Sequence, residues 1–319
     1  MPHLLLLTLL LAGQAETRER PTVLVVVGAS GTDEYEKQFR EWSQRWGQAA
    51  TRGDALYIRI GLDDDLEQPL SDRDVLLGQL NKERQQRQTA LWLVLIGHGT
   101  FDGKTAKFNL RGPDVSAAEL REWLAGFERP LAVLNCSSAS GPFINELSAP
   151  GRVVITATKS GYEHNFARFG DFLSAAVAEA AADLDKDDQT SLLEAFLMAA
   201  ARVREYYQSD GRLASEHALM DDNGDRLGTP AEWFRGLRAT KAAKDGAKLD
   251  GLLAGRFQLV PSTAEQSLSV EQRRRSGELE LEIARLREAK KELPEDDYYN
   301  RLEKLLVELA TLYEADGPK

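Results

Sequence analysis

Ala90-Leu91-Trp92-Leu93-Val94-Leu95-Ile96-Gly97-His98-Gly99 decides the fold, together with its counterpart Leu131-Ala132-Val133-Leu134-Asn135-Cys136-Ser137-Ser138. Apolar runs of this length, bounded by breakers, read as strands buried on both faces, as in a parallel sheet covered by helices. In open α/β sheets, chemistry collects just beyond the C-terminal ends of the strands. A histidine leaving one such strand and the only cysteine of the chain leaving the next would share that edge. A cysteine nucleophile and its proton-transfer partner need that arrangement.

Working outward, Thr22 to Val27, Ala55 to Ile60 and Arg152 to Ala157 read as further strands. Between them lie amphipathic stretches. Tyr35, Phe39, Trp42 and Trp46 recur at helical spacing, and Val75, Leu76 and Leu80 share a face of a helix over 72–87. Ser116 and Glu119 form a capping box, in which each side chain satisfies an orphan backbone donor of the other, and it opens a helix carrying Leu120, Trp123, Leu124 and Phe127. Helices over 172–182 and 192–207 complete the unit. Strands alternating with helices imply an α/β three-layer sandwich with a mostly parallel sheet.

The chain has 319 residues, 42% hydrophobic and 29% charged, which suits a globular protein of one large or two ordinary domains. Its formal charge of −11 argues against nucleic acid or an anionic membrane surface as partner. With one cysteine it can form no internal disulfide. Leu4 to Leu11 is an apolar run too short to span a bilayer, which needs ~20 residues. Small residues at Gly13 and Ala15 follow it, so residues 1–15 are expected to be a signal peptide cleaved after Ala15. The n-region carries only His3 and no Lys or Arg. The expectation is an exported, periplasmic or secreted protein, free of the membrane once the signal is removed.

A thiolate is the best side-chain nucleophile near neutral pH, and an adjacent imidazole both stabilises it and protonates the departing amine. Cys136 is the candidate nucleophile and His98 the general acid/base. A tetrahedral intermediate also needs donors aimed at its oxyanion, and the amides of Gly99 and Cys136 are the candidates. A lone cysteine is usually a buried hydrophobe. The joint placement of His98 and Cys136 on neighbouring strands is what favours chemistry.

These residues resemble the caspase-like clan of cysteine peptidases, and within it the legumain-type family. The resemblance covers roughly residues 20–235. Cys136-Ser137-Ser138-Ala139-Ser140-Gly141 is similar to the turn after that family's nucleophile, and Phe169-Gly170-Asp171-Phe172-Leu173-Ser174 resembles its Gly-Asp-aromatic motif. The resemblance implies a caspase-like sandwich, a Cys–His dyad without an obligatory third member, and endopeptidase or transpeptidase activity on a protein or peptide substrate. It also implies Asp171 as a substrate-pocket residue, which would suit a basic or amide P1 side chain. Asp171 as a helix cap is the competing reading. Ser137, also a pocket candidate, stands where legumains carry an acidic residue. No cofactor is expected for catalysis.

Two acidic loops are candidate Ca²⁺ sites. Asp183, Asp185, Asp187, Ser191 and Glu194 fall at positions 1, 3, 5, 9 and 12 of an EF-hand-like loop, with Asp188 where glycine is usual. Asp221, Asn223, Asp225 and Glu232 fall at positions 1, 3, 5 and 12 of another, with Arg226 at the glycine position and Pro230 interrupting the helix entry. Solvated acidic turns are the alternative for both.

Residues 20–260 are assigned to the caspase-like domain. Residues 264–319 change character: Leu279, Ile283 and Leu286, then Leu302, Leu305, Leu306, Leu309 and Leu312, flank a break at Leu293-Pro294. This reads as an α-helical hairpin or coiled-coil extension for self-association or a partner protein. A nucleotide-binding turn at Gly28-Ala29-Ser30-Gly31 is rejected, because the third glycine of the fingerprint falls at Glu34. The leading expectation is an exported cysteine endopeptidase. The alternatives are a catalytically silent calcium-binding interaction module, or a transpeptidase using the same dyad.

Overall fold

A computed structural model describes residues 20–62, 70–245 and 247–314. The apolar run at residues 4–11 and the expected cleavage at Ala15 lie outside them. No helix among the described residues is long and apolar enough to cross a membrane.

A seven-stranded sheet forms the centre. Its parallel strands are β1 (Thr22–Val27), β2 (Leu56–Ile60), β3 (Leu91–Ile96), then, after the short strands β4 (Gly99–Phe101), β5 (Ala106–Phe108) and β6 (Val115–Ser116), β7 (Leu131–Asn135) and β8 (Arg152–Thr156). Two short antiparallel strands, β9 (Leu219–Asp221) and β10 (Thr229–Pro230), extend the edge beyond β8. The order is β10-β9-β8-β7-β3-β1-β2. Strands β4 to β6 form a separate antiparallel sheet directly after His98.

Alternation along each strand sends side chains to two cores. Val23, Val25 and Val27 of β1, Trp92, Val94 and Ile96 of β3, and Ala132 and Leu134 of β7 face one layer. That layer comprises α1 (Asp33–Arg52), α5 (Phe169–Ala176) and α6 (Leu192–Ser209). Leu24, Val26, Leu91, Leu93, Leu95, Leu131 and Val133 face the other, covered by α2 (Asp72–Glu83), α3 (Ala117–Trp123) and α4 (Pro142–Leu147). The three-layer α/β sandwich with a mostly parallel sheet is therefore present. The Ser116–Glu119 capping box is formed as expected. The helix expected over 172–182 instead starts at Phe169 and gives way to a 3₁₀ turn over Ala180–Ala182.

The lower rim of this sheet is closed by a buried ion pair. Arg129 and Glu83 are almost fully buried, with 2.7 Å between Nη1 and Oε2, and Arg129 also donates to the carbonyls of Thr89 and Ala90. Satisfying so many partners lets a buried charge offset its desolvation.

Beyond a strand pair β11 (Phe234–Arg235) and β12 (Arg238–Ala239) and a short α7 (Thr263–Ser267), the chain ends in α8 (Val270–Glu288) and α9 (Glu295–Glu314). Arg275 early in α8 meets Glu308 late in α9, and Ser276 meets Tyr313, so the two run antiparallel. The break falls at Leu293-Pro294, because proline cannot continue a helix but is accepted at its start.

Candidate active site and acidic loops

Cys136 follows β7 in register with its neighbours: Leu95 pairs with Asn135, and the Cys136 amide donates to the Leu95 carbonyl at 2.9 Å. His98 leaves β3 two residues after Ile96. The sheet thus brings the two residues to the C-terminal ends of adjacent parallel strands. Both continue the alternation of the α1/α5/α6 face.

Their surroundings differ from those of a poised dyad. Cys136 is 1% exposed and belongs to the apolar core. The α5 backbone closes over it. A Cβ placed on Gly170 would lie 2.7 Å from the Cys136 Cβ and 2.8 Å from the Trp42 ring. Burial pushes the thiol up to about 12, and the carboxylate of Glu216 adds to the shift. Glu216 is itself buried, accepting from the Arg168 and Phe169 amides at the start of α5. An apolar, negatively biased setting opposes thiolate formation.

His98 is half-buried among Tyr35, Phe39 and Phe166, with ring centroids 4.8, 5.4 and 5.9 Å away. Its Nε2 lies 3.1 Å from the Ser30 carbonyl oxygen. A carbonyl only accepts, so the proton sits on Nε2 and the lone pair on Nδ1. Burial lowers the pKa of the ring, partly countered by that hydrogen bond. Among the described residues no hydrogen bond joins His98 to Cys136.

The expected oxyanion donors are both engaged. The Cys136 amide belongs to the sheet ladder, and the Gly99 amide donates to Ser138 Oγ at 3.2 Å. Neither amide is therefore free, as it stands, to donate to an oxyanion: one is held by Leu95 and the other by Ser138. Gly99 is required by close approach. A Cβ there would lie 2.3 Å from the Ser138 carbonyl oxygen and 2.8 Å from Ser137 Oγ.

Ser137 is fully buried, donating to Asn135 Oδ1 at 2.6 Å, so it lines no open pocket. Asp171 lies in the first turn of α5, and its carboxylate is taken by Arg45 at 2.5 Å. The N-cap of that helix is Arg168, so Asp171 is neither the cap nor a free pocket anion. Asn135 and Ser138 lie inside the Leu131–Ser138 stretch but are given no role by the sequence, and Glu216 carries no sequence motif. Their roles come from the turn that brings the ends of β3, β7 and α5 together.

Of the first acidic loop, Asp183, Asp185 and Asp187 converge, each offering an oxygen within 4.8 Å of the others. Asp183 is buried and accepts from the amides of Lys186, Asp187 and Asp188. Asp188 takes a φ of +67°, the conformation glycine would supply. Partial burial and then neighbouring carboxylates raise the pKa values of Asp185 and Asp187. Ser191 and Glu194 form the capping box of α6, while Glu194 Oε1 reaches back to the Leu184 amide at 2.7 Å. Three hard oxygen donors around a preformed turn, with a carboxylate folded over it, fit Ca²⁺ chemistry.

The second loop is largely satisfied from within, except that the buried Asp225 Oδ2 has no hydrogen-bond partner among the described residues. Asp221 accepts from the amides of Gly224 and Arg226, Asn223 Oδ1 from Asp225, and Asp225 Oδ1 from Leu227, while Glu232 is exposed on a 3₁₀ turn. Beside it lies a pair of acidic residues that no sequence motif marks. Asp222 accepts from the amides of Gly251, Leu253 and Ala254, and Asp250 from those of Asp222 and Asn223 and from the Thr229 hydroxyl. Both carboxyls are buried.

No family model matches the chain, and no curated protein matches it. Solved structures do. The Drosophila initiator caspase Dronc is 13% identical, over 63% of this chain and 79% of Dronc, with a TM-score of 0.41. Caspase-1 from Spodoptera frugiperda is 7% identical over 64% of this chain and 89% of its own, with a TM-score of 0.43. Raptor from Chaetomium thermophilum is 10% identical over 50% of this chain and 18% of its own, with a TM-score of 0.33.

Proposed function

We propose that this chain is a catalytically silent interaction module on a caspase-like sandwich, stabilised by Ca²⁺ and presenting its helical hairpin to a partner protein. The observation that carries the reading is the state of Cys136: a core thiol with Gly170 of α5 packed against it and its pKa pushed up to about 12. A nucleophile needs a thiolate and access to a carbonyl carbon, and this cysteine has neither. The engaged amides of Gly99 and Cys136 support the same reading.

Calcium would be held by Asp183, Asp185 and Asp187, with Glu194 at the following helix. The partner-facing surface would be α9, where Leu306 and Val307 are 42% and 59% exposed.

One observation favours a second reading, a cysteine peptidase awaiting activation. His98 and Cys136 do leave adjacent parallel strands at the same edge, so a shift of α5 could uncover the thiol. Digestion of a mixed peptide library in calcium, with Cys136→Ala alongside, separates the two. The silent module predicts the same uncut library from both proteins. Cuts made by the wild type alone would overturn it in favour of the peptidase.

A further inference from the structure

At the end of the sheet opposite His98 and Cys136, a cleft of about 540 Å³ opens below the starts of β7 and β8. Leu124, Phe127, Pro150 and Leu253 give it apolar walls. Arg121, Arg129, Arg152 and Arg226 also line it.

Two of these arginines are neutralised. Arg121 pairs with Glu146 and Arg129 with Glu83. The carboxylate of Glu128, also on the wall, is taken by Arg87. Arg152 is different. It donates to the carbonyls of Leu147 at 2.6 Å and Leu124 at 3.1 Å, the ends of α4 and α3, and has no carboxylate partner among the described residues. Burial alone lowers its pKa, with no acidic group opposing the shift. A guanidinium has five N–H donors, so these two carbonyls leave donors over.

Arg226 is exposed at the mouth. Its backbone is pinned by hydrogen bonds from its amide to Asp221 and Ser148 and from Asn145 to its carbonyl. It is held at a φ of +69°. Its guanidinium has no ion-pair partner among the described residues.

A cation taken out of water without a counter-charge is unfavourable, and a planar guanidinium is matched best by a two-oxygen anion. We propose that this cleft binds a small organic anion, an oxyanion group on an apolar body, with Arg152 and Arg226 as its charge partners. The apolar walls take the body, and the two guanidinium groups take the oxygens. A carboxylate and a phosphate share that chemistry.

The test uses the full chain, isothermal calorimetry and four probes: benzoate, phenyl phosphate, inorganic phosphate and benzyl alcohol. The expected result is saturable binding of benzoate or phenyl phosphate, at least tenfold tighter than inorganic phosphate or benzyl alcohol. Whichever of the two anions binds more tightly identifies the head group. Arg226→Asn, which tolerates the positive φ, should weaken binding at least tenfold with an unchanged melting temperature. Arg152→Gln should remove binding, with circular dichroism reporting whether the fold is kept. Absence of binding by both organic anions would overturn the proposal. So would equal binding by wild type and folded Arg226→Asn, or inorganic phosphate binding as tightly as phenyl phosphate.

Discussion

The Cα of Gly170 lies so close to Cys136 that any larger residue there would strike its Cβ, 2.7 Å from where a new methyl would stand. One helix turn thereby decides whether the end of β7 is a reactive edge or part of the core. Here it is core.

Gly170→Ala tests that contact. Alanine in a helix gains about 0.8–1 kcal/mol over glycine. Overpacking against a Cβ and an indole, neither the far end of a flexible side chain, costs about 1–3 kcal/mol. The second effect wins, so urea unfolding should show a net loss of stability and an unchanged m value.

Arg129→Ala should be among the most destabilising single changes. It leaves the Glu83 carboxylate buried without its cation, which costs about 3–5 kcal/mol. Denaturant titration reads the loss directly. An effect below about 1 kcal/mol would mean that the pair is hydrated.

The Asp222–Asp250 pair predicts a pH dependence. Burial raises both carboxyls, Asp250 from 3.8 to about 7. The Asp222 carboxylate and then Asp221 add to the shift of Asp250, while the Thr229 hydroxyl and the Asp222 amide oppose it. A raised acid binds its proton more tightly folded than unfolded. Its contribution therefore declines as pH rises from about 4 to about 7. Asp250→Asn, an isostere of the protonated acid, should flatten that slope, leaving the variant more stable than wild type at pH 8. Thermal melts across pH 4–8 check it.

Calcium at the Asp183 loop should stabilise the folded chain by about 2.7 kcal/mol at a hundredfold excess over Kd. The melting temperature should rise with calcium and fall back with chelator. Asp185→Asn, which removes one converging carboxylate but spares the buried Asp183, should abolish the response.

Much of this architecture was legible in the sequence. The apolar runs at β1, β3 and β7 are fully buried strands, β8 is buried beyond Arg152, and the Ser116–Glu119 box caps α3 as expected. Even the direction of Cys136 was available. Ala132, Leu134 and Cys136 alternate with Leu131 and Val133, so the thiol shares the face of α1 and α5. What covers that face was not. That α5 begins at Phe169 and sets Gly170 on Cys136 depends on a cap by Glu216, some fifty residues away in sequence and carrying no motif. The partner of Asp171 was not legible either, since Arg45 lies on α1. Strands β9 and β10 and the β4–β6 sheet are too short for periodicity to mark.

The most direct test of the central claim is the alkylation rate of Cys136 in the native chain, with calcium present, by iodoacetamide and by a peptide bearing a thiol-reactive electrophile. A buried, silent thiol predicts slow labelling by both reagents at similar rates, rising to the rate of a free thiol only through the urea unfolding transition. Rapid labelling of folded protein by the peptide reagent, outpacing iodoacetamide and lost in His98→Ala, would contradict it and restore the dyad.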